Sequence, residues 1–260
     1  MMKQIAYSVM GEGRTLFLVG APVGITGFSG LAASLSHRFR VVSHDPRGIG
    51  GSSSLSSEAL NPEALAGDLA ELIALLSDEP CLVFGASGGA VTALALIDQA
   101  SNLVDRAILH EPPLFSLLPD SAAVLGTAQV VFETAQSDPQ EATQRFSDLT
   151  EVMLRTAVDW PRPESIALPP LSAEELEKQR FALGRMAPAT IGYSVPKSLQ
   201  ARAKIKVAAG QESIGQVARK SAEALALLLG VPFLDAPGNH LAPSSHPEQF
   251  AAWLAQALDW

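Results

Sequence analysis

Residues 84–91 read Phe-Gly-Ala-Ser-Gly-Gly-Ala-Val, and how Ser87 is held among those three glycines decides what kind of chain this is. The apolar run Cys81-Leu82-Val83 leads in, and the helix-like Thr92-Ala93-Leu94-Ala95-Leu96-Ile97 leads out. Gly85-Ala86-Ser87-Gly88-Gly89 matches G-x-S-x-G, a pattern short enough to arise by chance in a glycine-rich chain. Context gives it meaning. A strand must run in and a helix must run out, because the sharp turn between them is what projects the hydroxyl. The flanking glycines leave room for that turn and for close backbone approach. Both conditions are met, so Ser87 reads as a nucleophile on a strand-to-helix turn.

Working outward, short apolar runs ending in glycine or proline alternate with helical patterns. Thr15 to Val19 ends at Gly20-Ala21-Pro22, and Phe39 to Ser43 ends at His44-Asp45-Pro46-Arg47-Gly48. Cys81 to Phe84 ends at Gly85, and Val104 to Leu109 ends at His110-Glu111-Pro112-Pro113. Later, Ile205 to Ala209 ends at Gly210, and Val231 to Leu234 leads to Pro237-Gly238. Runs apolar at nearly every position suit a parallel sheet covered on both faces. Between them, Asn61-Pro62-Glu63 offers a helix cap followed by proline at the first helical position. Leu65, Leu69, Leu72 and Leu76 then form one buried stripe. His246-Pro247-Glu248 opens a last helix in which Phe250, Leu254 and Leu258 repeat every four residues. The alternation predicts an α/β fold with a doubly wound, mostly parallel sheet.

One stretch breaks the pattern. Residues 114–203 hold no convincing strand, only helical patterns broken at Asp138-Pro139, Trp160-Pro161-Arg162-Pro163 and Pro169-Pro170. Phe115, Phe132, Phe146, Met153, Trp160, Phe181, Met186 and Tyr193 are its large apolar residues. It reads as a helical insertion, with the core made of residues 1–113 and 204–260. The serine-rich loop 52–57 is the one low-complexity tract.

Composition narrows the function. The 260 residues are 47% hydrophobic and 17% charged, with a formal net charge of −9. An acidic chain lacks the basic surface that nucleic acid requires, so a small-molecule substrate is the expected partner. The lone cysteine, Cys81, lies in an apolar run and reads as a buried thiol. No signal-peptide pattern opens the chain and no window reaches the length of a membrane span, so a cytoplasmic protein without a membrane partner is expected. No histidine pair has metal-ligand spacing beside a carboxylate. The glycine-rich Gly48-Ile49-Gly50-Gly51-Ser52 lacks the lysine of a phosphate loop and the downstream acid of a dinucleotide site. Neither a metal nor a cofactor is expected.

A serine hydroxyl needs a base to become a nucleophile. Of the five histidines, His37 closes a helix, His44 follows a strand, and His246 starts a helix. His240 lies in Pro237-Gly238-Asn239-His240, after the last expected strand. Loops that follow parallel strands share one sheet edge, so His240 is the base expected to meet Ser87.

The chain resembles the α/β-hydrolase fold superfamily, in a serine-nucleophile form with a helical cap inserted after that fold's sixth strand. The resemblance spans nearly the whole chain. It rests on Tyr7 to Gly13 leading into Leu16 to Pro22, on Asp45 to Ser52, on the serine elbow, and on Gly238-Asn239-His240 with its closing helix. It implies the chain order nucleophile, acid, histidine, and a pocket defined by the cap. It also implies an oxyanion hole from the backbone N–H groups of Ala21 and Gly88, since Pro22 has none.

Two places depart from the family's pattern. Val19-Gly20 stands where a His-Gly pair is common, and Ser213 stands where the acid is usual. Glu111, closing a strand and followed by two prolines, is the preferred acid, with Glu212 as the alternative. Asp45 and Arg47 read as loop supports. The leading reading is a serine hydrolase of an ester, thioester or lactone carrying a largely apolar group. The departures keep open a lyase, cyclase or cofactor-free oxygenase on the same fold, or a non-catalytic binder.

Overall fold

Strands that are apolar at every position need cover on both faces, and the fold supplies it. A computed structural model describes residues 5–52, 60–150, 168–196 and 199–259. Among these, seven strands form one sheet: β1 Tyr7–Met10, β2 Thr15–Ala21, β3 Arg40–His44, β4 Cys81–Ser87, β5 Val104–His110, β6 Ile205–Gly210 and β7 Phe233–Ala236. Their order is β1-β3-β2-β4-β5-β6-β7, with β1 antiparallel to β3 and every other neighbour parallel. Successive residues point to opposite faces. Phe17, Val83, Leu109 and Val207 join one core, with α2 Pro62–Leu76, α3 Gly88–Ala100 and α8 Val217–Leu229. Leu18, Leu82, Phe84 and Ile108 join the other, with α1 Ile25–Leu35 and α10 Pro247–Ala257. This is the doubly wound arrangement the alternation predicted.

Local signals explain the boundaries. Asn61 caps α2 by accepting the Ala64 N–H at 2.9 Å, Pro62 takes the first helical position, and Leu65, Leu69 and Leu72 are buried. The last strand starts at Phe233, two residues later than the apolar run predicted. Gly230 ends α8 in the left-handed region, the Val231 N–H closes on the Ala226 carbonyl, and Pro232 has no N–H to give. Cys81 is buried, and that burial pushes its thiol up to about 12.

Between β5 and β6 the regular elements of the described chain are all helical, among them α4 Ser121–Ser137, α5 Pro139–Thr150, α6 Ala173–Phe181 and the short α7 Ala187–Ile191. Phe115, Phe132 and Leu183 share a core of their own with α4. Met153, Trp160, Pro161, Pro163 and residues 53–57 of the serine-rich loop lie outside the described residues. No described helix is long and apolar enough to cross a membrane. The short α9 is Ala242–Ser245.

Candidate active site

Parallel strands in register deliver their following loops to one edge. Ala21 pairs with Ser87, Ala86 with His110, His110 with Ala208, and Gly210 with Ala236. Ser87 closes β4 at φ 54° and ψ −125°, and α3 begins at the next residue. A side chain at Gly89 would put its Cβ 2.1 Å from the Val19 carbonyl oxygen, so only glycine lets the helix start this close to β2. At Gly88 the same atom would sit 2.3 Å from the Ala21 oxygen. The backbones of Ala21 and Gly88 therefore touch beside Ser87. The first amides of a helix carry its positive end, which favours developing negative charge there.

Across the edge, Glu111 holds φ 47° and is wholly buried. Its Oε1 accepts the Gly210 N–H at 2.8 Å, and its Oε2 lies 2.6 Å from His240 Nδ1. Burial alone would push this carboxyl up. The hydrogen bond with His240 and the nearby imidazoles of His110 and His240 outweigh it and hold the group down at about 2. An ionised carboxylate only accepts, so Nδ1 of His240 donates, and in the neutral ring that tautomer leaves the lone pair on Nε2. The structure thus joins Glu111, rather than Glu212, to His240. Glu212 is exposed, and its backbone N–H donates to the Gly238 carbonyl at 2.9 Å.

Three supporting groups were not read from the sequence. Ser221 of α8 donates to the Pro112 carbonyl at 2.7 Å and accepts the Leu114 N–H at 2.8 Å, pinning the loop after Glu111. Ser213 is fully buried; its hydroxyl lies near the Glu111 carboxylate but makes no hydrogen bond of normal geometry. His110 packs between Phe84, Phe250 and His240 with both ring nitrogens unpartnered. Burial lowers it to about 4, so it is neutral at pH 7. None carries a local sequence signal, because each acts across more than a hundred residues or from inside a strand.

Asp45 and Arg47 do not pair with each other. Asp45 accepts the Ile25 N–H at 2.8 Å and the Gly51 N–H at 2.9 Å, tying the loop after β3 to α1. Arg47 grips Asp68 of α2 with two bonds of 2.5 Å. His37 is exposed, and His246 precedes α10 with its Nδ1 2.9 Å from Ser245 Oγ. A groove lined by Ala122, Val130, Arg145 and Leu149 lies along α4 and α5, and none of the site residues lines it.

Fold and edge together define the class: the chain belongs to the alpha/beta hydrolase fold family, whose model matches residues 16–258. Among curated relatives it is 26% identical over 259 residues to YraK, an uncharacterized hydrolase of Bacillus subtilis (strain 168), covering 98% of this chain and 92% of that protein. Among solved structures it is similar to a thermophilic esterase from Thermogutta terrifontis, with a TM-score of 0.70, 22% identity, and 98% and 92% of the two chains covered. It is also similar to the enol-lactonase from Burkholderia xenovorans LB400, with a TM-score of 0.65, 17% identity, and 99% and 97% covered. At these identities the structural likeness speaks for the fold alone.

Proposed function

We propose that this alpha/beta hydrolase is a serine hydrolase that cleaves an ester, thioester or lactone of a largely apolar small molecule through an acyl-enzyme on Ser87. The observation that carries the reading is the 2.6 Å bond between His240 Nδ1 and the buried Glu111 carboxylate, at the sheet edge where Ser87 stands on its strained turn. With Nδ1–H held by Glu111, Nε2 takes the Ser87 proton as Oγ bonds to the substrate carbonyl carbon. The Ala21 and Gly88 N–H groups receive the oxyanion. Collapse breaks the bond to the leaving group, which takes the proton from His240. Water then adds to the acyl carbon with His240 as base, the acid departs, and Ser87 regains its proton.

In this reading the described helices between β5 and β6 serve as the cap, with apolar side chains such as Met186 and Phe181 beside Ala21 selecting the acyl group. The relative named a hydrolase supports hydrolysis, and the esterase and the enol-lactonase are examples of ester and lactone cleavage carried on this fold. The test is turnover of p-nitrophenyl acetate by wild type and Ser87→Ala. Loss of about a thousandfold or more in kcat is expected. Turnover that survives Ser87→Ala would point instead to chemistry without an acyl-enzyme.

A further inference from the structure

Between α6 and α7, residues Ala182–Met186 form a π-turn, in which the Ala187 N–H bonds to the Ala182 carbonyl five residues back. Pro188 stands at the start of α7 and has no N–H to continue the α-helical ladder. Such turns insert one residue and re-aim the side chains around them, often at functional sites. Here the turn seats Met186, 1% exposed, in one apolar cluster with Ala21, Leu60 and Leu65. Ala21 is the residue whose backbone touches Gly88 beside Ser87. Phe181, the last residue before the turn, packs onto the same cluster with Ile49. Its ring tip lies 2.2 Å from where a Cβ on Gly48 would stand, and Gly48 has φ +80°. The ring is therefore seated on bare backbone, in the loop that Asp45 and Arg47 anchor to α1 and α2.

We propose that Met186, carried on this π-turn, determines specificity by closing the space next to Ala21, so that the enzyme accepts a compact apolar acyl group and rejects long chains. The inference rests on the hydrolase reading above and goes further by naming the acyl class and the residue that sets it. Methionine is unbranched and fills irregular gaps. Truncating it opens the wall without adding charge.

The test is kcat/KM for p-nitrophenyl esters from acetate to octanoate, where the leaving group is constant and only the acyl chain grows. Wild type should be best with acetate to butyrate and fall by about tenfold or more towards octanoate, as expected when a pocket lacks room for added methylenes. Met186→Ala should move the optimum to a longer chain by at least two carbons. Phe181→Leu, from its half-buried place on the same cluster, should shift it the same way and stands in should Met186→Ala fail to fold. A wild-type optimum at octanoate would overturn the inference, as would variant profiles that superimpose on wild type. Failure of the hydrolase reading looks different: wild type would then turn over none of the esters at any chain length.

Discussion

Ser87 and Glu111 are the two non-glycine residues with positive φ among the described residues, and both stand at the same sheet edge. Holding such a conformation costs about 1–3 kcal/mol, so it persists where the surroundings enforce it. At Ser87 the enforcement comes from the glycines around it. At Glu111 it comes from the Ala208 carbonyl, the Gly210 N–H and the Ser221 anchor. The turn at Ser87 was legible because it needs neighbouring glycines in sequence. Between Glu111 and Glu212 the residues supported only a preference for Glu111, because which of them meets His240 depends on which strand-end loop lies under that ring. That choice is tested by paired substitutions. Glu111→Gln keeps the shape but removes the charge that holds the His240 tautomer, and kcat should fall by about a thousandfold or more. Glu212→Gln, at an exposed position, should stay within about threefold of wild type. Ester hydrolysis at pH 7.5 reads both, and the reverse ranking would assign the acid to Glu212.

At the scale of elements, the loop after β3 is held to α2 by the buried Arg47–Asp68 pair. Removing one partner of a buried pair typically costs about 3–5 kcal/mol. Asp68→Asn should lose that much in urea unfolding, and a loss under about 1 kcal/mol would deny the pair its structural role. On α2, Asn61→Ala removes the cap on Ala64 and should cost about 1 kcal/mol in the same assay. The buried strands were legible because they are apolar on both faces. β1 was not read as a strand, since it has four residues and Tyr7, Val9 and Met10 are exposed on the sheet's edge. The π-turn was invisible in sequence for another reason. Pro188 announces a break in the ladder, but only packing decides that Met186 turns towards Ala21.

For the whole molecule, buried ionisable groups predict a lability to acid. Burial lowers His44 to about 4, against the upward pull of the Asp45 and Asp68 carboxylates. It lowers His110 to about 4, against the pull of Glu111 and with the push of His240. A histidine whose folded value lies below its unfolded 6.5 binds its proton more readily when unfolded. The stability tied to its neutral form is present above pH 6.5 and lost as pH falls towards 4. At about 1.4 kcal/mol per pKa unit, each contributes on the order of 3 kcal/mol to that fall. Glu111, held at about 2 against an ordinary 4.5, adds a further loss between pH 4.5 and 2. Urea unfolding at pH 7, 5.5 and 4 should show stability dropping by several kcal/mol, and a flat profile would contradict neutral burial of both histidines. The sheet places Ser87 at the edge that carries the His240–Glu111 pair, and the central claim of the proposed reading is that Ser87 is an activated nucleophile. Intact mass after exposure to a fluorophosphonate tests it most directly, with wild type and Ser87→Ala in parallel. A single adduct on wild type that is absent from Ser87→Ala is the expected result, and folded wild type that takes up no adduct would contradict the claim.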